Sequence, residues 1–223
     1  MGRLLLVRHG QASDLRGDYD QLSALGVAQA GHAGRRLQER DGPIGAVFVG
    51  PLKRHSQTFD GARTIFPKLP EGSLTTGLDE HQGQWVLRAT LADARVPPED
   101  RELPRLLAKA MRRWACEGTT YEGVTEPFAA FRSRVGQTLR EIIMRSRESG
   151  EKTTVLFTSG GVVAAAVGAS LNLTDAHTVE LCFQVDNAAI SEFVFSSTTE
   201  DSRMTLRAFN DTSHLPRELV TSL

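Results

Sequence analysis

Residues 155–168, VLFTSGGVVAAAVG, contain the transition that decides the fold. An apolar run ends at Thr158 and Ser159, two glycines follow, and small residues typical of a helix come next. This pattern predicts a strand over 153–158 and a helix over about 161–171. A strand that enters a helix through Gly-Gly exposes backbone N–H groups above the turn, and such groups suit anions. The stretch therefore predicts an α/β unit with an anion-compatible turn.

The opening part of the chain repeats the same alternation. Apolar runs at 3–8 and 46–51 predict strands buried on both faces. Residues 22–40 predict a helix with Ser23 as its N-cap, and apolar positions across 52–66 recur at helical spacing. Strands that alternate with helices favour a parallel sheet. We therefore predict an α/β three-layer sandwich, in which helices flank a mostly parallel central sheet.

The middle of the chain, about 80–150, departs from this alternation and indicates a helical insertion packed beside the sheet of a single domain over 1–223. Residues 104–116 predict one of its helices. A second helix is predicted after Thr125, which we expect to cap it, with Pro127 in its first turn.

The last part of the chain predicts mostly extended structure. Apolar runs at 181–185, 189–195 and 204–209 are β-like. Residues 210–223 are polar, and we expect them to form a loose tail.

Composition excludes several classes of protein. The 223 residues carry 26 Lys and Arg against 27 Asp and Glu, and this balance argues against a nucleic-acid binder. Cys116 and Cys182 fit no metal spacing and are expected to be reduced, buried thiols. The first apolar run, Leu4–Val7, is too short for a signal peptide, and no segment has the length of a membrane span. We therefore expect a cytoplasmic protein with no nucleic-acid or membrane partner.

The sequence also lacks the usual signals for a metal ion or a nucleotide cofactor. Its six histidines are scattered, and none forms an H-E-x-x-H pair or a comparable metal-ligand pair. There is no Walker lysine motif, and SGGVVAAAVG lacks the G-x-G-x-x-G spacing. We expect no cofactor and no metal.

Phosphate-compatible side chains follow three predicted strands. The first strand ends in Arg8-His9-Gly10, and the second is followed by a helix with Arg54 in its first turn. The carboxyl ends of parallel strands meet at one edge of the sheet, so these residues should lie near the Ser159–Gly160 turn. Arginine forks bind phosphate oxygens, and a histidine nitrogen can attack phosphorus. Phosphoryl transfer requires this combination of positioning and positive charge.

Several motifs resemble those of the histidine phosphatase superfamily, also called the phosphoglycerate mutase-like family. LLLVRHGQASD resembles its N-terminal motif, and DYDQLSALGVAQA resembles the segment that follows. VGPLKRHSQT resembles its second arginine motif, with Gly50 where a serine is common. GLDEHQGQW and NAAISEFVF are similar to its acid-bearing stretch and its late strand. The resemblance covers roughly residues 3–66, 76–85 and 153–195.

The resemblance implies a role for each matching residue. His9 would accept the phosphoryl group of a small phosphorylated substrate, and Arg8 and Arg54 would bind its oxygens. Glu80 would protonate the leaving oxygen and then activate water. The neighbouring His81 is expected to be a bystander, although it could serve as a substitute donor. The remaining candidate phosphate-binding residues are Ser159, through its hydroxyl, and Gly160, through the backbone N–H groups at the helix N-terminus.

One departure from the family bears directly on activity. Where the family commonly carries a second histidine, this chain has Ser159, whose hydroxyl donates one hydrogen bond and cannot become cationic. The leading interpretation is a metal-independent phosphatase acting through His9 and weakened by Ser159. A phosphoglycerate mutase-like phosphotransferase ranks lower, and an impaired phospho-ligand-binding pseudoenzyme is the alternative of a different class. The loop at 12–21 and the insertion would set selectivity, and the oligomeric state stays open, with a homodimer as one option.

Overall fold

The computed structural model describes residues 1–13, 20–92, 102–196 and 203–222, which form a six-stranded mixed sheet with helices on both faces. The strands are β1 (Gly2–Arg8), β2 (Ala46–Val49), β3 (Gly72–Leu74), β4 (Thr153–Thr158), β5 (Ile190–Phe195) and β6 (Met204–Asp211), in the spatial order β3-β2-β4-β1-β5-β6. The pairings among β1 to β4 are parallel, whereas β5 and β6 run antiparallel to their neighbours. The prediction of a mostly parallel sheet is confirmed.

Seven α-helices within the described residues complete the layers. They are α1 (Ala24–Arg40), α2 (Lys53–Ile65), α3 (Gly83–Ala92), α4 (Leu103–Cys116), α5 (Phe128–Glu148), α6 (Gly160–Leu171) and α7 (Asp175–Leu181). The strand β1 explains the layering, because its side chains alternate between the two faces. Leu5 and Val7 pack with apolar residues of α1 and α2, and Leu4 and Leu6 pack with those of the remaining helices. The three-layer α/β sandwich is therefore confirmed.

The helix starts agree with the sequence prediction in one case and not in another. Ser23 caps α1, since its hydroxyl accepts a hydrogen bond of 3.1 Å from Gly26 N–H. Thr125 does not cap α5, which begins at Phe128 with Pro127 at the N-cap position. The hydroxyl of Thr125 instead accepts from Gln82 Nε2 at 3.2 Å, and its backbone N–H donates to Gln82 Oε1 at 2.7 Å. A contact with a distant residue thus takes the place of the predicted cap.

The predicted strand at 181–185 is wrong. The helix α7 reaches Leu181, and the next residues form turns in which Phe183 N–H donates to Glu180 O and Gln184 N–H donates to Leu181 O. The other two β-like runs form β5 and β6, as predicted. The sequence analysis missed α7 and the short edge strand β3.

The C-terminal segment is not a loose tail. The buried side-chain amide of Gln29 on α1 donates to Leu219 O at 2.7 Å and to Thr221 Oγ1 at 2.9 Å. Thr221 O also accepts from Asn187 N–H at 2.8 Å. These hydrogen bonds give partners to polar groups of the C-terminal segment, and they hold the segment against the body of the protein.

Two further expectations can be compared with the structure. Both cysteines are free thiols, but only Cys182 is buried, and Cys116 is exposed at the end of α4. Within the described ranges, no helix combines the length and the apolar character that crossing a membrane would require.

Candidate functional site

Three strand ends converge at one edge of the sheet. The N–H of His9 donates to Thr158 O at 2.8 Å, so the residues after β1 and β4 lie side by side. The N–H of Gly50, just after β2, donates to Phe157 O at 2.9 Å. The convergence predicted from the parallel strands is present, and it brings the two arginines, His9 and the Gly-Gly turn together.

A cavity of roughly 300 Å³ opens at this edge. Its wall includes Arg8, His9, Arg54, Glu80 and Gly160, all of which were predicted site residues. Ser159 was predicted with them, but its side chain is completely buried and lies behind the wall. Residues 14–19 of the predicted selectivity loop lie outside the described residues.

The ring of His9 is held in one tautomer. Its Nδ1 lies 2.7 Å from Gly10 O, and because a carbonyl oxygen only accepts, Nδ1 carries the hydrogen. The other nitrogen, Nε2, then has a free lone pair. Burial, followed by the positive charges of Arg54 and Arg8, holds the pKa of His9 well below its usual range. The His9 ring is therefore neutral at neutral pH.

The two arginines bind different groups of the protein. Arg8 donates from Nη1 to the carbonyl oxygen of Val185. Arg54 donates from Nη1 to Asp20 Oδ1 at 3.1 Å. The same carboxylate accepts from Lys53 N–H at 3.0 Å, so it caps α2 as well. Asp20 therefore places a negative charge on a guanidinium that faces the cavity.

Glu80 is held by backbone donors at the cavity wall. Its Oε2 accepts from Gly161 N–H at 3.2 Å, and its Oε1 accepts from His81 N–H at 2.9 Å. Burial alone would raise the pKa of Glu80, but these donors and the charges of His81 and Arg54 bring it below its ordinary value. A Cβ at 161 would lie 2.1 Å from Glu80 Oε1 and 2.4 Å from His81 Cδ2, so a side chain there would displace both groups. The site thus holds Glu80 as a carboxylate.

The hydroxyl of Ser159 is bound to a histidine that the sequence analysis did not select. His55 Nε2 lies 2.6 Å from Ser159 Oγ, and both side chains are buried. Burial lowers the pKa of His55 to about 3, so the ring is neutral. A Cβ at Gly50 would lie 2.3 Å from His55 Nδ1, so glycine at 50 makes room for this ring.

Of the two residues that were missed, His55 had a sequence signal and Asp20 had none. His55 falls on the same face of α2 as the buried Phe59 and Ala62, and a histidine on an apolar face needs a polar partner. Asp20 is spaced from α2 by more than thirty residues, so only the folded chain shows that it caps this helix. Among the described residues, no group of three His, Cys, Asp or Glu side chains is arranged to hold a metal ion.

Comparison with protein families agrees with this geometry. The family model described as "Histidine phosphatase superfamily (branch 1)" matches residues 4–212. The chain belongs to the histidine phosphatase superfamily. No curated protein matches it by sequence.

Solved structures of phosphatases share the fold. A mycobacterial glucosyl-3-phosphoglycerate phosphatase is 25% identical over 95% of this chain and 99% of its own, with a TM-score of 0.69. A phosphoserine phosphatase mutant from Entamoeba histolytica, solved with phosphoserine, is 20% identical over 97% and 100%, with a TM-score of 0.69. The α-ribazole phosphatase from Shigella flexneri is 22% identical over 94% and 96%, with a TM-score of 0.63. These structural neighbours of this superfamily member are phosphatases.

Proposed function

We propose that this member of the histidine phosphatase superfamily hydrolyses a small phosphomonoester through a phosphohistidine at His9, without a metal ion. The observation that carries the proposal is the tautomer of His9, whose free Nε2 lone pair belongs to a buried, neutral ring beside two arginines. A neutral imidazole is the nucleophilic form of histidine.

In the first step, Arg8 and Arg54 bind the oxygens of the phosphoryl group, and the N–H groups at the start of α6 add donors. His9 Nε2 attacks phosphorus, the bond from phosphorus to the ester oxygen breaks, and Glu80 gives its proton to the leaving oxygen. A bound phosphate dianion places negative charge beside Glu80 and offsets Arg54, which raises the pKa of the carboxyl and favours its protonation.

In the second step, the Glu80 carboxylate takes a proton from water while the water oxygen attacks phosphorus. The N–P bond breaks, inorganic phosphate leaves, and His9 returns to its neutral form. Ser159 has no direct part in this scheme, because its hydroxyl is bound to His55 behind the cavity wall.

The test is phosphate release from small phosphomonoesters by the wild type, with and without a chelator. His9→Ala should lower release by more than a thousandfold, as expected when a covalent nucleophile is lost. His177→Ala, at an exposed position on α7, is the matched control and should keep wild-type release. Loss of activity with the chelator would overturn the metal-free route.

The intermediate supplies a second test. Glu80→Gln lacks both the proton donor of the first step and the base of the second. With a nitrophenyl phosphate, whose leaving group departs without a proton, only the second step should slow, so phosphate should accumulate on His9 and be detected by mass spectrometry after an alkaline quench. Phosphate on another residue, or equal turnover by this variant, would contradict the assigned roles.

The bond of Ser159 to His55, which keeps the Ser159 hydroxyl out of the cavity, favours one alternative, a phospho-ligand-binding pseudoenzyme. In that case phosphate analogues would bind and no phosphate would be released. A mutase would isomerise a phosphorylated acid without net release of phosphate, and the same assay distinguishes it.

A further inference from the structure

The cavity continues beyond the phosphate-compatible groups into an apolar wall. Six side chains form this wall: Leu52, Trp85, Leu87, Leu107, Met111 and Phe183. They come from four separate parts of the chain, namely the residue before α2, the helices α3 and α4, and the turn after α7. Elements distant in sequence therefore build one apolar surface beside His9.

Much of this apolar wall is supported from behind. Met111 is 1% exposed and belongs to the larger core cluster, and Leu107 and Phe183 pack against that cluster. Side chains fixed in a packed core keep their positions when a ligand binds. The wall is thus a preformed surface.

Trp85 is the exposed member of the wall. It is 48% exposed, and its ring lies above Gly123, where an added Cβ would approach to 3.1 Å. The Arg88 guanidinium lies 5.2 Å from the centre of the ring. An indole held in this way presents apolar area to a ligand, and rings stack on it with a gain beyond simple burial.

The apolar wall offers no partner for a second charged group on the ligand. Among the described lining residues, the basic side chains are Arg8, His9, Arg54 and His81, the acidic ones are Asp79 and Glu80, and none of them belongs to the apolar wall. Arg88 lies beside the Trp85 ring but outside the cavity lining. A carboxylate or second phosphate on the apolar wall would therefore lose hydration without a partner.

We propose that the leaving group of the substrate is an uncharged, apolar, planar group of the aryl type, bound against the apolar wall and stacked on Trp85. The phosphate end of this substrate rests on the proposed function. The inference sets this chain apart from the Entamoeba histolytica neighbour, which was solved with the charged ligands phosphoserine and 3-phosphoglyceric acid.

Binding affinity tests this inference more directly than turnover does. Aryl phosphates have good leaving groups, so they react faster than other esters for reasons unrelated to the apolar wall. The probes are phenylphosphonate, 1-naphthylphosphonate and 3-phosphonopropanoate, which cannot be hydrolysed, and calorimetry gives each Kd. We expect the naphthyl compound to bind about tenfold more tightly than the phenyl compound, from the added buried ring. The carboxylate compound should bind at least about tenfold more weakly than the phenyl compound.

Trp85→Ala should remove most of the naphthyl preference while leaving the Kd for inorganic phosphate within about twofold. Met144→Ala removes another exposed apolar side chain, on α5 outside the cavity lining, and should leave the preference intact. Equal or tighter binding of 3-phosphonopropanoate, an unchanged preference in Trp85→Ala, or no binding of any phosphonate would overturn the inference.

Failure of the proposed function gives a different pattern of results. Tight naphthylphosphonate binding without phosphate release from any ester would contradict the proposed phosphatase activity and support the aryl site. Phosphate release that depends on His9 but is faster from phosphorylated acids would support the phosphatase activity and contradict the aryl site.

Discussion

His55 Nε2 and Ser159 Oγ form a buried hydrogen bond of 2.6 Å behind the wall of the cavity. The ring of His55 fits there because position 50 carries no side chain. In the sequence, Gly50 and Ser159 are two separate departures from the family motifs. In the structure, they contact the same histidine and form one unit, so a change at either position affects the other through His55.

The bond itself predicts a loss of stability when the hydroxyl is removed. Ser159→Ala should lower the free energy of unfolding by about 1–3 kcal/mol, because it leaves a buried imidazole nitrogen without its partner. Urea denaturation of the two proteins measures the difference. Ser149→Ala removes an exposed hydroxyl and should stay within about 0.5 kcal/mol of the wild type. A similar small effect of Ser159→Ala would contradict the assigned bond.

Restoring a histidine at 159 should fail unless space is made for it. Ser159→His would press a second ring against His55 in a fully buried site, and overpacking of this kind costs about 1–3 kcal/mol. Combining it with His55→Ala removes the competing ring. The double variant should therefore be more stable than Ser159→His alone, and its rate of phosphate release should exceed that of the single variant. A single variant as stable as the wild type would show that the site has room for both rings.

Asp20 and a bound phosphate group should compete for the guanidinium of Arg54. In Asp20→Asn the side-chain oxygen can still cap α2, but its negative charge is lost, so a bound anion no longer competes with a carboxylate. The Kd for inorganic phosphate should fall by about two- to fivefold, the size expected of one partly exposed ion pair. Asp60→Asn changes an exposed carboxylate on the same helix and controls for the change in net charge. An equal gain in phosphate affinity in both variants would show that the change in net charge alone causes the effect.

Buried histidines predict how stability depends on pH. Burial is the main cause that lowers the pKa of His214 to about 4, whereas the unfolded chain takes up the proton near pH 6.5. The unfolded state therefore binds more protons below pH 6.5, and the stability that the neutral ring contributes is lost as the pH falls from there towards 4. His9 and His55 act with the same sign.

His214→Gln isolates one of these contributions. Its amide can still donate to Ala188 O, which His214 Nε2 contacts at 3.1 Å, but it does not titrate. Between pH 6.5 and 5.0, the variant should lose about 1–2 kcal/mol less unfolding free energy than the wild type. Urea denaturation at the two pH values gives both losses, and an identical loss would show that His214 is protonated in the native state.

The parts of the fold that follow from local patterns were predictable. The continuous apolar runs of β1 and β4 and the cap at Ser23 depend on nearby residues, and they were assigned correctly. The strand end at Thr158 and the helix at Gly160 follow from the same logic.

The errors occur where a distant partner decides the local structure. Gln82 takes the backbone N–H of Thr125, and Gln29 orders the C-terminal segment. The sequence around Gln82 and Gln29 contains no pattern from which these contacts could be predicted. The same limit applies within the site, where His55 and Asp20 become relevant only through contacts with Ser159 and Arg54.

The central place of β1 has a consequence for how the protein is made. This strand is synthesised before the other five, but its hydrogen-bonding neighbours are β4 and β5, which come much later in the chain. Its apolar side chains and both of its edges therefore stay unpaired until those strands have been made. Such long-range pairing makes folding slow and leaves apolar surface exposed to other nascent chains. The backbone bonds of His9 with Thr158 and Ala188 form only when both of those residues have been added, so a shorter chain cannot hold His9 in the position described here.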